Sequence, residues 1–137
     1  MNWEECISRG LVTETKEDYK LIEALLQSSE EKLETCERLE LDRVACSSKI
    51  LLIYDSMIDA LKAIGIEKGF MIFNHECFSA FLNEVCSEED FADSFNKFRE
   101  IRNKINYYGK RVLLSDARFL INEIRLLRLK LINRYFG

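Results

Sequence analysis

The chain has 137 residues, a net charge of −4 and 47% hydrophobic residues, which excludes a disordered polar protein and leaves room for one domain with its own core. It contains no Pro and only five Gly, so long uninterrupted helices are permitted and tight β-hairpins are disfavoured. No apolar run approaches the roughly 20 residues that span a bilayer, and the acidic N-terminus does not resemble a signal peptide. We therefore expect a single cytoplasmic domain over residues 1–137 that makes no membrane contact.

The first half of the chain predicts a short lead-in and two long helices. The lead-in ends near Lys16 and contains enough apolar residues to pack against the rest. Apolar residues then recur at helical spacing over residues 17–41, which predicts the first helix. The second helix is predicted over residues 43–68. Because its run at positions 50–53 is apolar nearly all round, we place this helix at the centre of the fold.

The second half of the chain predicts one short helix and two long ones. The short third helix is expected over residues 75–85, with Asn74 as its N-cap. The fourth is expected over residues 87–108 and the fifth over residues 115–135, each with the serine at its first position as the cap. The predicted fold class is all-α: an antiparallel bundle of four long helices plus one short helix.

The fifth helix is apolar on more than one side, which predicts two neighbours and favours a homodimer. One stripe of side chains is expected to face the core of its own chain, and the other is available to a second copy. The first stripe consists of Ala117, Leu120, Ile124, Leu127 and Leu131, and the second of Phe119, Leu126 and Leu129.

The five cysteines give no metal-site pattern. Their number is odd, no two are spaced as Cys-x-x-Cys, and the chain has a single His. We therefore expect no metal and no cofactor, and we interpret the cysteines as small apolar residues of the core.

Charge is distributed unevenly along the chain. Residues 1–98 carry 10 Lys/Arg against 21 Asp/Glu, whereas residues 99–137 carry 10 against 3. We call residues 99–137 the basic block. It either attracts phosphates and steers RNA, or packs beside acidic helices of its own fold or of a partner; the sequence leaves both interpretations open.

The most informative stretch of the basic block reads Arg-Asn-Lys-Ile-Asn-Tyr-Tyr-Gly, at the end of the predicted fourth helix. In a helix, Arg102 lies one turn from Asn106, and Asn103 lies one turn from Tyr107. One face therefore presents a cation, two carboxamides and a phenol. Gly109 follows where a helix C-cap tolerates the left-handed conformation.

This arrangement suits a phosphate or an RNA backbone, because the planar guanidinium of Arg matches phosphate oxygens. We expect Arg102 and Asn103 to line a polar cleft with Lys110 or Arg111 at its rim. The candidate phosphate- or RNA-binding residues are Arg99, Arg102, Asn106, Tyr108, Lys110 and Arg111. Two alternatives remain open: Arg102 forms a buried ion pair with Asp55 or Asp59, or the tyrosines at 107 and 108 serve only packing.

The stretch resembles the signature of the HEPN family, small all-helical nucleotide-binding domains whose motif is Arg, Asn or another polar residue, three further residues, then His. Arg102 and Asn103 match this motif, but Tyr107 stands where the His belongs. The order of helices, the Tyr54-Asp55-Ser56 run and the turn over residues 73–78 also resemble short prokaryotic and archaeal members. The resemblance covers nearly the whole chain.

The resemblance implies a dimer that binds RNA or nucleotide phosphate, with Arg102, Asn103 and Tyr107 as candidate catalytic residues. In HEPN ribonucleases two motifs meet across the dimer to form one metal-independent site. A phenol is almost fully protonated at neutral pH and is a poor general base, so we expect weak cleavage or none. His75 is the only possible substitute for the motif His; otherwise it is a helix-start residue with a satisfied ring nitrogen.

Two further functions follow from the same resemblance. Family members often act with a small nucleotidyltransferase as a toxin–antitoxin-like pair, so the chain is alternatively a partner subunit of such an enzyme. The remaining alternative is a true metal-independent endoribonuclease with Tyr107 in an altered role.

Overall fold

The fold, described for residues 1–137 by a computed structural model, is built mainly of helices. In chain order the elements are α1 (Trp3–Ser8), β1 (Val12–Glu14), α2 (Tyr19–Arg38), α3 (Cys46–Glu67), β2 (Phe70–Ile72), α4 (His75–Ala80), which continues as a π-helical turn over Phe81–Val85, α5 (Glu89–Tyr108) and α6 (Leu114–Phe136). The four long helices and the short one that the sequence predicts are all present. No helix is both long and apolar enough to cross a membrane.

The helix α3 occupies the centre, as its apolar sequence predicts. Fifteen of its 22 residues are buried, and it packs against α2, α5, α6 and β2. Its face towards α4 and α5 carries Tyr54, which is fully buried and packs near Phe95 of α5. Burial of this nearly continuous apolar surface is the main contribution to stability, at about 25 cal/mol per Å² of apolar area removed from water.

The helix α6 has the two apolar stripes that the sequence predicts, but this chain covers only one of them. The stripe from Ala117 to Leu131 is buried against the core. In the other, Phe119 is 68% exposed, Leu126 44% and Leu129 49%. The second stripe is therefore free to contact another molecule.

The N-terminal lead-in packs against the rest of the chain, as expected, but it contains secondary structure that the sequence did not predict. It contains a helix, α1, and a strand, β1, that pairs antiparallel with β2, placing Val12 opposite Ile72 and Glu14 opposite Phe70. The two strands are distant in sequence, so the pairing needs no hairpin turn and the scarcity of turn residues does not prevent it. Gly65 of α3 lets this helix approach β2 closely, since a Cβ at position 65 would lie 3.1 Å from the carbonyl oxygen of Phe70.

Of the four residues predicted to cap a helix, Asn74 and Gly109 are confirmed. The Asn74 side chain accepts a hydrogen bond from the Glu76 amide at the start of α4. Gly109 adopts a left-handed conformation, φ 60°, at the end of α5, and its amide and that of Lys110 both donate to the Lys104 carbonyl.

The two serine caps are wrong. Ser87 has a positive φ of 55°, which turns the chain out of the π-helical segment, and the residue that precedes α5 is Glu88. Ser115 lies inside α6, because the Leu113 carbonyl already accepts a hydrogen bond from the Ala117 amide. Neither α5 nor α6 has a side-chain N-cap.

The cysteine interpretation needs a correction. Cys6 of α1 and Cys77 of α4 form a disulfide that joins positions 71 residues apart, and both are fully buried. Spacing rules based on nearby cysteines cannot detect such a pair, because only the fold brings the two residues together. Cys36 and Cys46 are buried free thiols, and burial raises the pKa of both, as expected for cysteines of the core.

A buried polar cluster joins α2, α3 and α6. The hydroxyl of Ser29 donates to the backbone carbonyl of Ser56 at 2.6 Å. In return, the hydroxyl of Ser56 donates to the backbone carbonyl of Ser29, also at 2.6 Å. Arg128 of α6, only 4% exposed, donates from Nε to the Ser29 hydroxyl at 2.9 Å and from Nη2 to Glu30 at 2.8 Å. Every buried polar atom of the cluster therefore has a partner.

Truncation of Arg128 is expected to destabilise the fold. The variant Arg128→Ala loses two hydrogen bonds from a charged donor and leaves space among three helices, so its free energy of unfolding should fall by about 2–3 kcal/mol. Arg125→Ala, one turn earlier, removes an exposed guanidinium that lies 3.8 Å from Glu37 and should lose less than about 1 kcal/mol. Urea denaturation of both variants measures the difference. Equal losses would show that the buried cluster contributes no more than an exposed ion pair.

Candidate functional site

A polar cleft of about 330 Å³ opens between the start of α4 and the outer face of α5. The α5 residues share one side of that helix because they recur three and four positions apart. The other wall comes from the turn between β2 and α4. The residues that line the cleft are Phe73, Asn74, His75, Glu76, Arg99, Arg102, Asn103 and Tyr107.

Arg102 is held in place by neutral groups. Its Nη1 donates to the side-chain oxygen of Asn103 at 3.2 Å. With the carboxamide of Asn106 assigned so that its oxygen faces Arg102, this oxygen accepts from Nη2 and Nε at 3.2 and 3.1 Å. The guanidinium also lies 5.5 Å from the centroid of the Tyr54 ring, a cation–π contact. These contacts fix the side chain without neutralising its charge.

The ion pair that would have kept Arg102 as a structural residue is not formed. Asp59 instead accepts from Lys32 at 2.8 Å and from Ser28 at 2.7 Å. Asp55 makes no ion pair within 4.0 Å; burial raises the pKa of its carboxyl, an effect that the charges of Lys32 and Arg102 partly oppose. Arg102 thus keeps its charge available to a ligand.

His75 faces the same cleft. Its Nδ1 lies 3.1 Å from the hydroxyl oxygen of Tyr54. Burial, followed by the positive charges of Arg102, Lys62 and Arg99, lowers the pKa of His75 to about 4. Burial also raises the pKa of the Tyr54 hydroxyl far above its usual value. At neutral pH both groups are therefore uncharged, and the positive charge of the cleft comes from its two arginines.

Two aromatic side chains flank the cleft and remain open to solvent. Phe73 is 60% exposed and Tyr107 70%. Exposed aromatic rings beside cations are suited to stacking on a nucleobase, whose phosphate would lie by the arginines. Glu76 is the one carboxylate of the lining, and its Oε1 lies 3.3 Å from the amino group of Met1.

The structure brings together some of the predicted site residues and separates others. Arg99, Arg102, Asn103 and Tyr107 line the cleft, and Asn106 supports it from the same helix. Tyr108 is 82% exposed and lies outside the lining.

Lys110 and Arg111 are not at the rim of the cleft. They line a separate groove of about 640 Å³ between α5 and α6, whose apolar side chains include Ile101 and Phe119. The chain reverses after Gly109, which carries these two cations away from the face that holds Arg102.

Four residues of the site were missed as candidates: Tyr54, Phe73, Asn74 and Glu76. The sequence singled out Tyr54 only as part of a run that resembles the family, and Asn74 only as a helix cap. In the structure Tyr54 is fully buried and Asn74 caps α4. The signal available in the sequence was the resemblance of both surrounding runs to the same family, which suggests that they lie near the motif.

Some cations of the basic block pair with acidic residues of the same chain, and the others remain available to a phosphate ligand. Arg125, Arg128 and Arg134 pair with Glu37, Glu30 and Glu88 of the acidic segment. The remaining seven of its ten cations have no carboxylate within 4.0 Å. The α6 helix thus uses part of its charge for packing, whereas α5 and the following loop leave theirs unpaired.

The sequence matches no family model and no curated protein. No group of three or more His, Cys, Asp or Glu side chains is arranged to hold a metal ion. The HEPN resemblance stays a prediction.

The ring of His75 should titrate well below its usual range. Between about pH 6.5 and pH 4 the unfolded chain takes up a proton that the folded ring does not, so His75 should make the free energy of unfolding fall as the pH falls through this window. Because the chain has one His, the titration can be followed on a single set of ring NMR signals. Arg102→Gln should raise the pKa of His75 by removing a nearby positive charge. A ring that titrates near 6.5 in both proteins would contradict the buried, cationic environment.

Proposed function

We propose that this protein binds a phosphate-rich ligand, RNA or a nucleotide, in the cleft between α4 and α5, as a HEPN-like dimer with weak catalytic activity or none. The observation that carries the proposal is the state of Arg102: a guanidinium fixed by Asn103, Asn106 and the Tyr54 ring, with no carboxylate partner.

A fixed and unpaired guanidinium favours phosphate binding for two reasons. Its planar fork matches two phosphate oxygens and forms charge-assisted hydrogen bonds, which are about twice as strong as neutral ones. Its conformation is already restricted before the ligand arrives, so less side-chain entropy is lost on binding. Arg99, one turn earlier on the same face, adds a second positive charge.

The surroundings of Arg102 support a nucleotide or RNA rather than a simple anion. Phe73 and Tyr107 offer exposed rings, and base–aromatic stacking is worth about 1–3 kcal/mol per base. The cleft volume, about 330 Å³, lies at the small end of ligand pockets. One nucleotide unit therefore suits this space better than a duplex.

The same cleft is poorly equipped for proton transfer. Efficient general acid–base catalysis uses a group whose pKa lies near the operating pH, whereas the pKa of His75 is lowered to about 4. Tyr107 places a phenol where an imidazole would be more effective. We therefore favour binding over the endoribonuclease alternative.

Arg102 should dominate binding of single-stranded RNA. Arg102→Ala removes a bidentate phosphate contact, so the dissociation constant should rise roughly tenfold or more. The logarithm of the association constant falls as the logarithm of the salt concentration rises. In Arg102→Ala this slope should be shallower by about 0.7, the value for one phosphate contact on a single strand. Fluorescence anisotropy titrations at several salt concentrations measure both quantities. Arg102→Lys keeps the charge but loses the planar pair of donors, so its RNA affinity should lie between those of the wild type and Arg102→Ala.

Arg118→Ala is the matched control for this experiment. It removes the same charge from an exposed, unpaired arginine of α6 outside the cleft, so it should weaken binding less than Arg102→Ala. Lys62 is unsuitable as a control because its charge acts on His75. If the wild type and Arg102→Ala bind RNA with equal affinity, RNA does not bind through Arg102 in the cleft.

We further propose that the exposed stripe of α6 forms the contact of a homodimer. Phe119 is large and apolar but mostly exposed to solvent, and Leu126 and Leu129 continue the same stripe. In a two-fold dimer the stripe of one protomer would pack against the same stripe of its partner. The three side chains of both protomers would then be buried.

Phe119→Lys should shift the protein from dimer to monomer. The substitution places a charge within the proposed contact, and light scattering at micromolar concentration measures the mass. Tyr19→Lys is the control, because Tyr19 of α2 is exposed to nearly the same extent, 67% against 68% for Phe119. A wild-type protein that is already monomeric would contradict the dimer.

The alternative function is that of a partner subunit of a small nucleotidyltransferase. The exposed stripe favours it, because a second protein can cover Phe119, Leu126 and Leu129 as well as a second copy can. The two functions differ in the RNA titration. A monomer that binds no RNA at low salt, with or without Arg102, but forms a stable complex with a co-expressed nucleotidyltransferase would favour the alternative.

A further inference from the structure

The cleft also holds a pair of uncharged groups, the hydroxyl of Tyr54 and the ring of His75. The Tyr54 side chain is fully buried, and its hydroxyl has one hydrogen-bond partner, Nδ1 of His75, at 3.1 Å. A buried hydroxyl needs an acceptor for its proton, since leaving it unsatisfied costs about 1–3 kcal/mol. The Tyr54 hydroxyl therefore donates to Nδ1.

This donation fixes the tautomer of His75. A neutral imidazole carries one ring proton, and a nitrogen that accepts a hydrogen bond cannot hold it. The proton is therefore on Nε2. The low pKa of the ring, about 4, keeps it in this neutral form at physiological pH. Nε2–H has no hydrogen-bond partner within the chain, although His75 lines the cleft beside Arg99 and Arg102.

We propose that His75, held by Tyr54, donates its Nε2–H to a terminal phosphate group of the ligand, alongside Arg99 and Arg102. The inference rests on the proposed phosphate-binding function. A terminal phosphate monoester has three non-bridging oxygens, whereas an internal phosphodiester has two. His75 of α4 and Arg99 and Arg102 on successive turns of α5 supply one donor side chain for each oxygen of a terminal group.

The charges around His75 are compatible with this role. From α5 the ring faces Arg99, Arg102 and the phenol of Tyr107, and from α3 it faces Lys62 and Tyr54; Glu76 follows it on α4. A bound phosphate offsets the nearby positive charges and raises the pKa of His75 above its value in the free protein. Since both the neutral tautomer and the imidazolium carry Nε2–H, the donor is present in either state.

Three forms of one short single-stranded RNA test the inference. One carries a 5′-phosphate, one a 3′-phosphate, and one hydroxyls at both ends. Binding of one of the phosphorylated forms should be roughly tenfold tighter than binding of the hydroxyl form, as expected for an added hydrogen bond to a charged group. The preferred form identifies which end of the strand enters the cleft.

Substitutions at positions 75 and 54 test the two roles separately. His75→Ala should abolish the preference for a terminal phosphate, whereas His75→Gln, whose side-chain amide N–H replaces Nε2–H, should retain most of it. Tyr54→Phe keeps the buried ring and removes only the hydroxyl, so it should weaken the preference through loss of tautomer control. The ¹⁵N NMR shifts of the single His report the tautomer directly: Nε2 should be the protonated nitrogen in the wild type, and a mixture should replace it in Tyr54→Phe.

The outcomes separate this inference from the proposed function. RNA binding that depends on Arg102 but shows no preference for a terminal phosphate, or a preference unchanged in His75→Ala, overturns the inference and leaves the function intact. A proton on Nδ1 in the wild type also overturns it. RNA binding that is absent, or equal in the wild type and Arg102→Ala, overturns the proposed function itself.

Discussion

The reciprocal hydrogen bonds between Ser29 and Ser56, with Arg128 donating into them, set the distance between α2, α3 and α6. Each serine hydroxyl reaches the backbone of the facing helix, which is possible only at close approach. Larger side chains at these positions would hold the two backbones apart. The position of α3, and with it that of every element packed on α3, depends on this cluster.

Tyr54, which supports the cleft, lies on the opposite side of the same helix. Tyr54 precedes Ser56 by two residues, which is about 200° around a helix, so the cluster holds one face of α3 while Tyr54 points from the other. The Tyr54 ring receives the guanidinium of Arg102 and its hydroxyl meets His75. One buried side chain thereby sets the relative positions of residues from α4 and α5. The geometry of the cleft is therefore supported from the core as well as from the turn before α4.

Sequence patterns predicted the long helices because those patterns are local. The apolar repeat over α2, the continuous apolar surface of α3 and the glycine that ends α5 each depend on neighbours within a few turns. The same reasoning located Arg102, Asn103 and Tyr107 on one face. It failed where distant segments meet: the pairing of β1 with β2, the Cys6–Cys77 disulfide, and the approach of His75 to Arg102. Local periodicity contains no information about such contacts.

The serine caps show a different limit. A serine before an acidic turn is a good local cap, yet the geometry of the π-helical segment determines where α5 can begin, and it leaves Ser87 in the left-handed region. Tertiary context therefore moved a helix start by two residues, while Asn74, at the end of a strand, kept the role that its side chain favours.

The disulfide between Cys6 and Cys77 has a kinetic consequence. Both sulfurs are shielded from solvent, so an attacking thiolate can reach them only when α1 opens away from α4. The rate of reduction then reports how often this part of the molecule opens, independently of global unfolding. Because Cys77 lies two residues after His75, such opening loosens one wall of the cleft, and a ligand that bridges His75 and Arg102 would slow the reduction of a bond that it does not touch.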